Sequence, residues 1–459
     1  MKKNKILAVL LAASSFSAVL SGCGSEQTTS SDVTKVSVWT TNSHSKATVQ
    51  QLVDDFNNNE GKKEGIEIEY KVIEGDSFAK SLELALKNGQ GPDMMPSTLG
   101  IKNMVQNGYA AALEDIPDGQ EFVDKYKGKL VKFKNTYKGK TYSVPSAVAT
   151  RGLIYNKDMF KEAGIVDENG EPTPPETLDE MREYAKKLTD KSKNKFGIIL
   201  PEKWSGWVSS DMLTLLQSSV GHHRFDPVKG EYDYSGLAPI INTYMGIISD
   251  GSMFPGAEGI DNDTARAYFA EGIIGMKIAY SFDDGVLNEQ FPARCDWGVV
   301  PLPVVDKNNK YMQVCSNGDS LLINAESVKT KDPEKLLTCL KWFESDECKR
   351  TMYKEGLEIP YDWSIVDDID ASNVKKGWAE FAKLTEISHY SSLVPESDMT
   401  GYMSLKDRII NDVLSGNVSA EDMLAQYNKD IIEATKKYYE LNIDESLDSY
   451  IDKSWNIKR

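Results

Sequence analysis

Few residue types in this chain could make or break bonds. Its 459 residues include four histidines: His44, His222, His223 and His389. His222-His223 has no second His or Cys at helical or hairpin ligand spacing, so the pair does not indicate a metal centre. Gly318-Asp-Ser-Leu321 could present a nucleophilic serine, but such a serine needs a base within hydrogen-bond reach. The one histidine downstream, His389, has Glu386 three residues before it, and the serine lies late in the chain. Asp261-Asn-Asp263 and Asp167-Glu-Asn-Gly170 offer calcium-type oxygens without the Gly and Glu spacing of a calcium loop, so a structural calcium stays open there. Seventy Asp and Glu make carboxylate pairs for glycoside cleavage too common to be informative. The expectation is no enzyme, no cofactor and no metal.

The elements that would position a site come next. Length favours two or more domains. Lys+Arg of 53 against Asp+Glu of 70 gives −17, the wrong sign for displacing counterions from nucleic acid, so no nucleic-acid partner is expected. Hydrophobic residues at 40% can bury a sizeable core. Lys2, Lys3 and Lys5 precede an apolar run from Ile6 to Leu20 that is short for a membrane span and reads as a secretory leader over 1–22. The Ser/Thr-rich stretch 23–34 reads as a tether. Of the four later cysteines, Cys295, Cys315, Cys339 and Cys348, a Cys339–Cys348 disulfide is favoured only weakly over four thiols. It would need a helix break at Ser345-Asp346.

After the tether the pattern alternates between strand and helix. Val36 to Trp39 reads as a strand, Val49, Leu52, Val53 and Phe56 as one helix face, and Ile66, Ile68, Tyr70 and Val72 as a half-buried strand. Phe78, Leu82, Ala85 and Leu86 mark a second helix, and Pro92 to Met95 a short strand. That order predicts parallel pairing with right-handed crossovers in a doubly wound α/β sheet. Ligands of such sheets bind beyond the strands' carboxyl ends, here Trp39 to Asn42 and Pro96 to Thr98. Tyr137 to Pro145 reads as a hairpin and Ala147 to Tyr155 as a strand. A helix over about 178–188 is capped near Thr177, and a helix-rich stretch covers about 204–269. Strands return at 275–279, 297–305 and 320–324. Asp332-Pro333 opens a helix, and the chain from about Lys375 reads as helical and charged.

Six segments in order resemble the substrate-binding proteins of ABC importers, in the large sugar-binding group that includes maltose-binding protein. They are Asn88-Gly-Gln-Gly-Pro-Asp-Met-Met95, Tyr137-Lys-Gly-Lys-Thr-Tyr-Ser-Val-Pro145, Leu153-Ile-Tyr-Asn-Lys-Asp158, Tyr268 to Ile278, Trp297-Gly-Val-Val-Pro-Leu-Pro303, and Leu336 to Gly356. Leu20-Ser-Gly-Cys23 resembles the lipobox of bacterial lipoproteins, which implies cleavage before Cys23, lipidation of its sulfur and a stable anchor on the outer face of the cytoplasmic membrane. The family resemblance implies a two-lobed, type II binding-protein fold with a cleft between the lobes. Crossings fall near 147–151, 312–316 and 357–360, dividing the chain into 35–147 with 316–357 and 151–312 with 361–459. It implies capture of a carbohydrate, an oligosaccharide in particular, by a monomer that closes its lobes and delivers to a permease.

Mapping the family's contact regions gives candidate ligand residues. These are Trp39, Thr40, Asn42, Ser97 and Thr98 on the first lobe, Arg151 at the hinge, and Trp204, Trp207, Phe282, Asp283 and Tyr402 on the second. Sugars need rings to stack on and polar groups for their hydroxyls. Trp39 could instead plug the core, and Arg151 could pair across the hinge. Trp297 and Trp342 read as core. This chain departs from the maltose-binding pattern with Ala149 where that pattern has a carboxylate and Phe282 where it has a Trp. A maltodextrin ligand is therefore not implied. The competing readings are a receptor for a non-sugar solute, such as a polyamine or phosphodiester, and an extracytoplasmic hydrolase.

Overall fold

The computed structural model describes residues 33–42, 45–73, 77–204, 206–442 and 446–459. The leader, most of the tether, Cys23 and His44 lie outside the described residues. In chain order the elements used below are β1 (Thr34–Thr40), α1 (Lys46–Asn58), β2 (Ile66–Val72), α2 (Phe78–Lys87), β3 (Met94–Met95), β4 (Pro145–Ala149) and β5 (Arg151–Asn156). Next come α3 (Leu178–Leu188), β6 (Phe196–Ile198), α4 (Leu213–Val220), α5 (Leu237–Ser249), α6 (Asn262–Ala270), β7 (Ile274–Tyr280) and β8 (Trp297–Val300). The last are β9 (Gln313–Val314), β10 (Ser316–Asp319), β11 (Leu322–Ile323), α7 (Pro333–Phe343), α8 (Asp346–Lys354), β12 (Ile359–Pro360) and α9 (Ala420–Leu441).

The first sheet runs β11-β3-β1-β2. β1 pairs in parallel with β2, Thr34 opposite Ile66 through Thr40 opposite Val72, and with β3 through Val38 and Met94. Alternation places Val36 and Val38 in a core with α1 and α7, whose members include Val53, Phe56, Leu336 and Leu340. A second core holds Phe78, Leu82, Met95 and Met104. The other sheet, β8-β5-β7-β6, departs from the doubly wound expectation of parallel neighbours. β7 is antiparallel to β5, and β5 to β8, while only β7 and β6 run parallel. The reason is topological: β5 follows β4 directly, after Thr150 alone, with no crossover helix between them to set up a parallel neighbour. Its faces are covered by a large core around α3, α4, α5 and α9 and a smaller one around Phe269, Ile274 and Trp297.

Local signals produce several of these elements. Thr177 and Glu180 form a capping box that starts α3. The Asp332 carboxylate accepts from the Glu334 amide, and Pro333 opens α7. The predicted hairpin is two short strands, Thr136–Tyr137 and Lys140–Thr141, joined by Lys138 and Gly139 at φ of 48° and 78°. Two successive positive φ values define a type I′ turn, which is why a glycine stands there. The expected helical C-terminal part is interrupted: Tyr390 to Thr400 carries no helix, and Ser388–His389 pairs in parallel with β9. The helix break at Ser345 exists, with its side chain capping α8, yet Cys339 and Cys348 stand as separate buried thiols and the favoured disulfide is absent. The calcium-like motifs are local caps as well. Asp261 accepts from the Thr264 amide, and Asp167 from those of Asn169 and Glu171.

A three-stranded antiparallel sheet, β10-β4-β12, joins the two halves. Ser316 lies opposite Ala149, and Ile359 opposite Val148. Beside it Lys349 Nζ lies 3.1 Å from Glu344, 3.2 Å from Glu358 and 2.5 Å from Ser146 Oγ. Burial opposes the Lys349 charge, but the two carboxylates hold its pKa above the ordinary lysine value. The C-terminal residues run along the second crossing. The Met312 amide donates to Ile457 O (2.9 Å), the Arg459 amide to Lys310 O (3.0 Å), and Trp455 Nε1 to Gly221 O (2.8 Å). Just before them Tyr450 stacks on Phe133, which precedes the hairpin, at 5.2 Å and 22°. Among the described residues no helix is long and apolar enough to cross a membrane.

Asp284 is fully enclosed between Gly356 and Gly377, where a Cβ would come within 3.4 and 3.0 Å of its carboxylate. Burial raises its pKa to about 7. The native state therefore keeps a proton that the unfolded chain releases near pH 4, and stability falls as pH rises from about 4 through 7. Asp284→Asn should flatten this dependence, raising the melting temperature over the parent at pH 8 more than at pH 5. A second outcome follows from the buried ion pair. Lys349→Met strands two carboxylates and should cost about 3–5 kcal/mol in denaturant unfolding.

Candidate ligand-binding cleft

Both four-stranded sheets present strand ends toward the crossing segments. On the first, β1 and β3 end and β11 begins at one edge, so Thr40, Asn42 and Leu321 come together. They line a recess with Tyr70, Ser146, Asp319 and Glu344. Thr40 Oγ1 and the Tyr70 hydroxyl lie 2.9 Å apart. Asp319 accepts from Asn135 Nδ2 (3.0 Å) and pairs with Lys134 (3.5 Å), and burial raises its pKa. Hydroxyls, an amide and carboxylates thus share a recess with the rings of Trp342 and Phe343. Trp342 fulfils its core expectation only in part, since it packs on Phe56 at 4.7 Å and also borders this recess.

The remaining first-lobe candidates lie elsewhere. Trp39 alternates to the opposite face of β1 from Thr40, half-buried against the core of Phe78 and Met95, with Lys71 Nζ 5.0 Å from its ring centre. Ser97 is half-buried and Thr98 exposed in the loop after β3. Neither borders the recess of Thr40 and Asn42.

On the second sheet, antiparallel register sets Tyr280 opposite Arg151 at the hinge edge. Phe282 stacks on Tyr280 at 4.9 Å and 16°, and Trp204 meets Tyr280 edge-on at 6.3 Å and 80°. Tyr280 is buried at 6% exposure, whereas Phe282 is 41% exposed and Trp204 half-buried, so the latter two offer ring surface to solvent. The Tyr280 hydroxyl lies 3.4 Å from Asp211 Oδ1. Asp211 sits in a π-helical turn, Trp207–Met212, that leads into α4; such turns recur at functional sites. Burial pushes the Asp211 carboxyl up to about 7, against the opposing charges of Lys277 and Arg151. Lys277, itself buried, has its pKa lowered by that burial and donates to Ile278 O at 2.8 Å.

Four candidates on this side change role. Trp207 is fully enclosed in the core, because the helix starts at Gly206 and turns it inward beside Val208 and Met212, so it leaves the contact set. Asp283 is 1% exposed, ion-paired with Arg266 and accepting from the Tyr280 amide; it braces the loop and is not open to ligand. Arg151 is buried with both Nη atoms engaged across the hinge, Nη1 donating to Val314 O (3.2 Å) and Nη2 to Ser316 Oγ (2.9 Å). Tyr402 lies beside Lys437 of α9, apart from the Trp204–Tyr280–Phe282 group.

Tyr280, Asp211 and Glu344 are not singled out by the sequence, whereas Asp319 lies in the Gly318–Leu321 stretch and lines the recess. Tyr280 had a signal: it is the last residue of the apolar strand preceding Phe282. The others depend on long-range packing. Ser320 is 2% exposed, its Oγ accepting from the Val144 amide at 3.0 Å, while His389 Nδ1 bonds Tyr390 O, so both groups of the proposed nucleophile–base pair have structural partners. No cluster of metal-binding side chains occurs among the described residues.

A family model described as bacterial extracellular solute-binding protein matches residues 40–347. A galactooligosaccharide-binding protein of Bacillus subtilis is 26% identical over 454 residues, covering 93% of this chain and 96% of that protein. A maltotriose-binding protein of Pyrococcus abyssi is 23% identical over 376 residues, covering 80% and 76%. Among solved structures, the GacH receptor of Streptomyces glaucescens, known unliganded and with acarbose, superposes with a TM-score of 0.66 at 19% identity, covering 90% of this chain and 99% of that one. That likeness establishes the two-lobed type II binding-protein fold, with a cleft between the lobes.

The Trp204 ring lies over Gly206, where a Cβ would sit 2.1 Å from Cζ2. Gly206→Ala should therefore displace the indole and shift the protein's tryptophan fluorescence while leaving far-ultraviolet circular dichroism unchanged. An unshifted emission spectrum would mean the ring does not depend on that close approach.

Proposed function

The chain belongs to the bacterial extracellular solute-binding proteins, and from that premise we propose that it captures an oligosaccharide between its lobes and hands it to the permease of an ATP-driven importer. The observation that carries the reading is that each four-stranded sheet ends, near the crossing segments, in a surface unlike the other's. One offers the half-buried ring of Trp204 and the exposed ring of Phe282 for the apolar faces of pyranose rings. The other offers Thr40, Asn42 and Asp319 for hydroxyl groups. The oligosaccharide-binding relatives support this choice of solute.

Closure follows from the same division. A ligand favours the closed state only through contacts absent in the open one, and two half-sites on separate lobes meet that condition. In this reading the lobes are 35–147 with 316–357 and 151–312 with 361–459, and they bend about the β10-β4-β12 sheet. We assign Trp39, Ser97, Thr98 and Tyr402 to contacts with longer ligands, outside the recess of Thr40 and Asn42. The solute leaves unchanged, since binding and release require no covalent step. Cys23 carries the lipid anchor, the tether holds a monomer outside the cytoplasmic membrane, and no cofactor is needed.

A thermal-shift panel of maltotriose, a galactotriose, xylotriose, chitotriose and spermidine tests this. One glycan at 100 times its Kd should add about 2.7 kcal/mol to stability. Trp204→Ala should weaken that glycan at least tenfold, roughly 1.4 kcal/mol in binding, by calorimetric titration. Stabilisation by spermidine alone, or hydrolysis of any stabilising glycan, would overturn the proposal.

A further inference from the structure

The exposed ring of Phe282 is linked to the hinge through two buried side chains. Phe282 stacks on Tyr280 at 4.9 Å, and the Arg151 guanidinium carbon lies 4.8 Å from the centre of the Tyr280 ring. The guanidinium edge is held by Val314 O at 3.2 Å and Ser316 Oγ at 2.9 Å, one residue on each side of Cys315. Gln313 strengthens the same junction. Its Nε2 donates to Arg151 O at 3.0 Å, and its Oε1 accepts from the Leu302 amide at 2.6 Å. The second crossing is thus fastened to the first residue of β5 by both side chain and backbone. That residue is in turn paired across the sheet with Tyr280.

We propose that Arg151 is a positioning residue that couples bending of the second crossing to the aromatic surface of the second lobe, acting through Tyr280 on Phe282 without contacting the solute. This rests on the capture reading but adds a mechanism: the stacking surface takes its working orientation as the crossing strands bend. A planar guanidinium suits the role. It presents a flat face to the phenol ring and in-plane donors to a carbonyl and a hydroxyl at once, which an ammonium does not. Binding energy at the ring and strain at the hinge then enter one equilibrium, as a two-state element biased from both ends requires.

Ser316 supplies the decisive variant. It lies on β10, opposite Ala149 in the hinge sheet, and its link to the aromatic group runs through Arg151. In the ligand-free protein, Ser316→Ala should raise hydrogen–deuterium exchange of the Tyr280, Ser281 and Asp284 amides, which are bonded to Asp283 Oδ2, Thr150 O and Ser281 O. Unchanged exchange there overturns the proposal, and this readout needs no sugar, so it decides the coupling even if the whole glycan panel fails. With the sugar giving the largest shift in that panel, Arg151→Lys should weaken binding roughly two- to thirtyfold. Combined with Tyr280→Leu it should add no further loss. Wild-type affinity in Arg151→Lys, or losses that multiply in the double variant, would mean that Arg151 acts independently of Tyr280.

Discussion

The antiparallel register between the strand that leaves the hinge and the strand that ends at Tyr280 is the constraint on which the rest depends. Shifting that pairing by one residue would turn every side chain of the displaced strand to the opposite face. Tyr280 would leave Arg151, and the Tyr280–Phe282 ring pair with the Asp283 loop behind it would lose its tie to the hinge. The register is held because β5 is buried along its whole length, with Leu153, Ile154 and Tyr155 in cores on the two faces of the sheet. Hydrophobic burial, which has no direction of its own, thus fixes the position of polar groups that do.

A second principle is the division of charge. The surface is acidic overall, yet two of the cations enclosed near the hinge are matched: Lys349 with two glutamates and Arg266 with Asp283. Ion pairs of this kind contribute little net stability compared with apolar packing, but they are costly to break singly. They suit a joint that must return to the same geometry after each excursion. Among the described residues Asp284 and Asp211 have no ion pair of this kind, and burial pushes both carboxyls up to about 7.

The first half of the fold is written in local pattern. Val36 to Trp39, the helix face Val49–Phe56 and the alternation Ile66–Val72 each report their burial directly, and their order implies parallel pairing. The second sheet is less legible because its strand directions depend on where the chain crosses between lobes, a long-range fact absent from any window of sequence. The same distinction explains the site. Thr40 and Asn42 follow a readable strand and reach the recess. Trp207 looked like its neighbour Trp204, but a helix starting at Gly206 carries it inward, and the spacing of Trp207, Val208, Met212 and Leu215 already held that warning. Asp319 and Glu344 reach the recess only because α7, α8 and β10 pack beside β1, which no spacing announces. Arg151 opens β5, and packing commits its Nη donors to Val314 O and Ser316 Oγ, which no local pattern in the sequence announces.

The path of the last residues has a practical side. Because Ile457 and Arg459 are bonded to the entrance of the second crossing, and Tyr450 stacks on Phe133, a fluorescent domain fused after Arg459 would be anchored beside the moving joint rather than on a remote surface. Lobe motion would then reorient the attached fluorophore. That geometry makes this chain a scaffold for an optical solute sensor, with the sensing element and the reporter linked by a few residues of its own backbone.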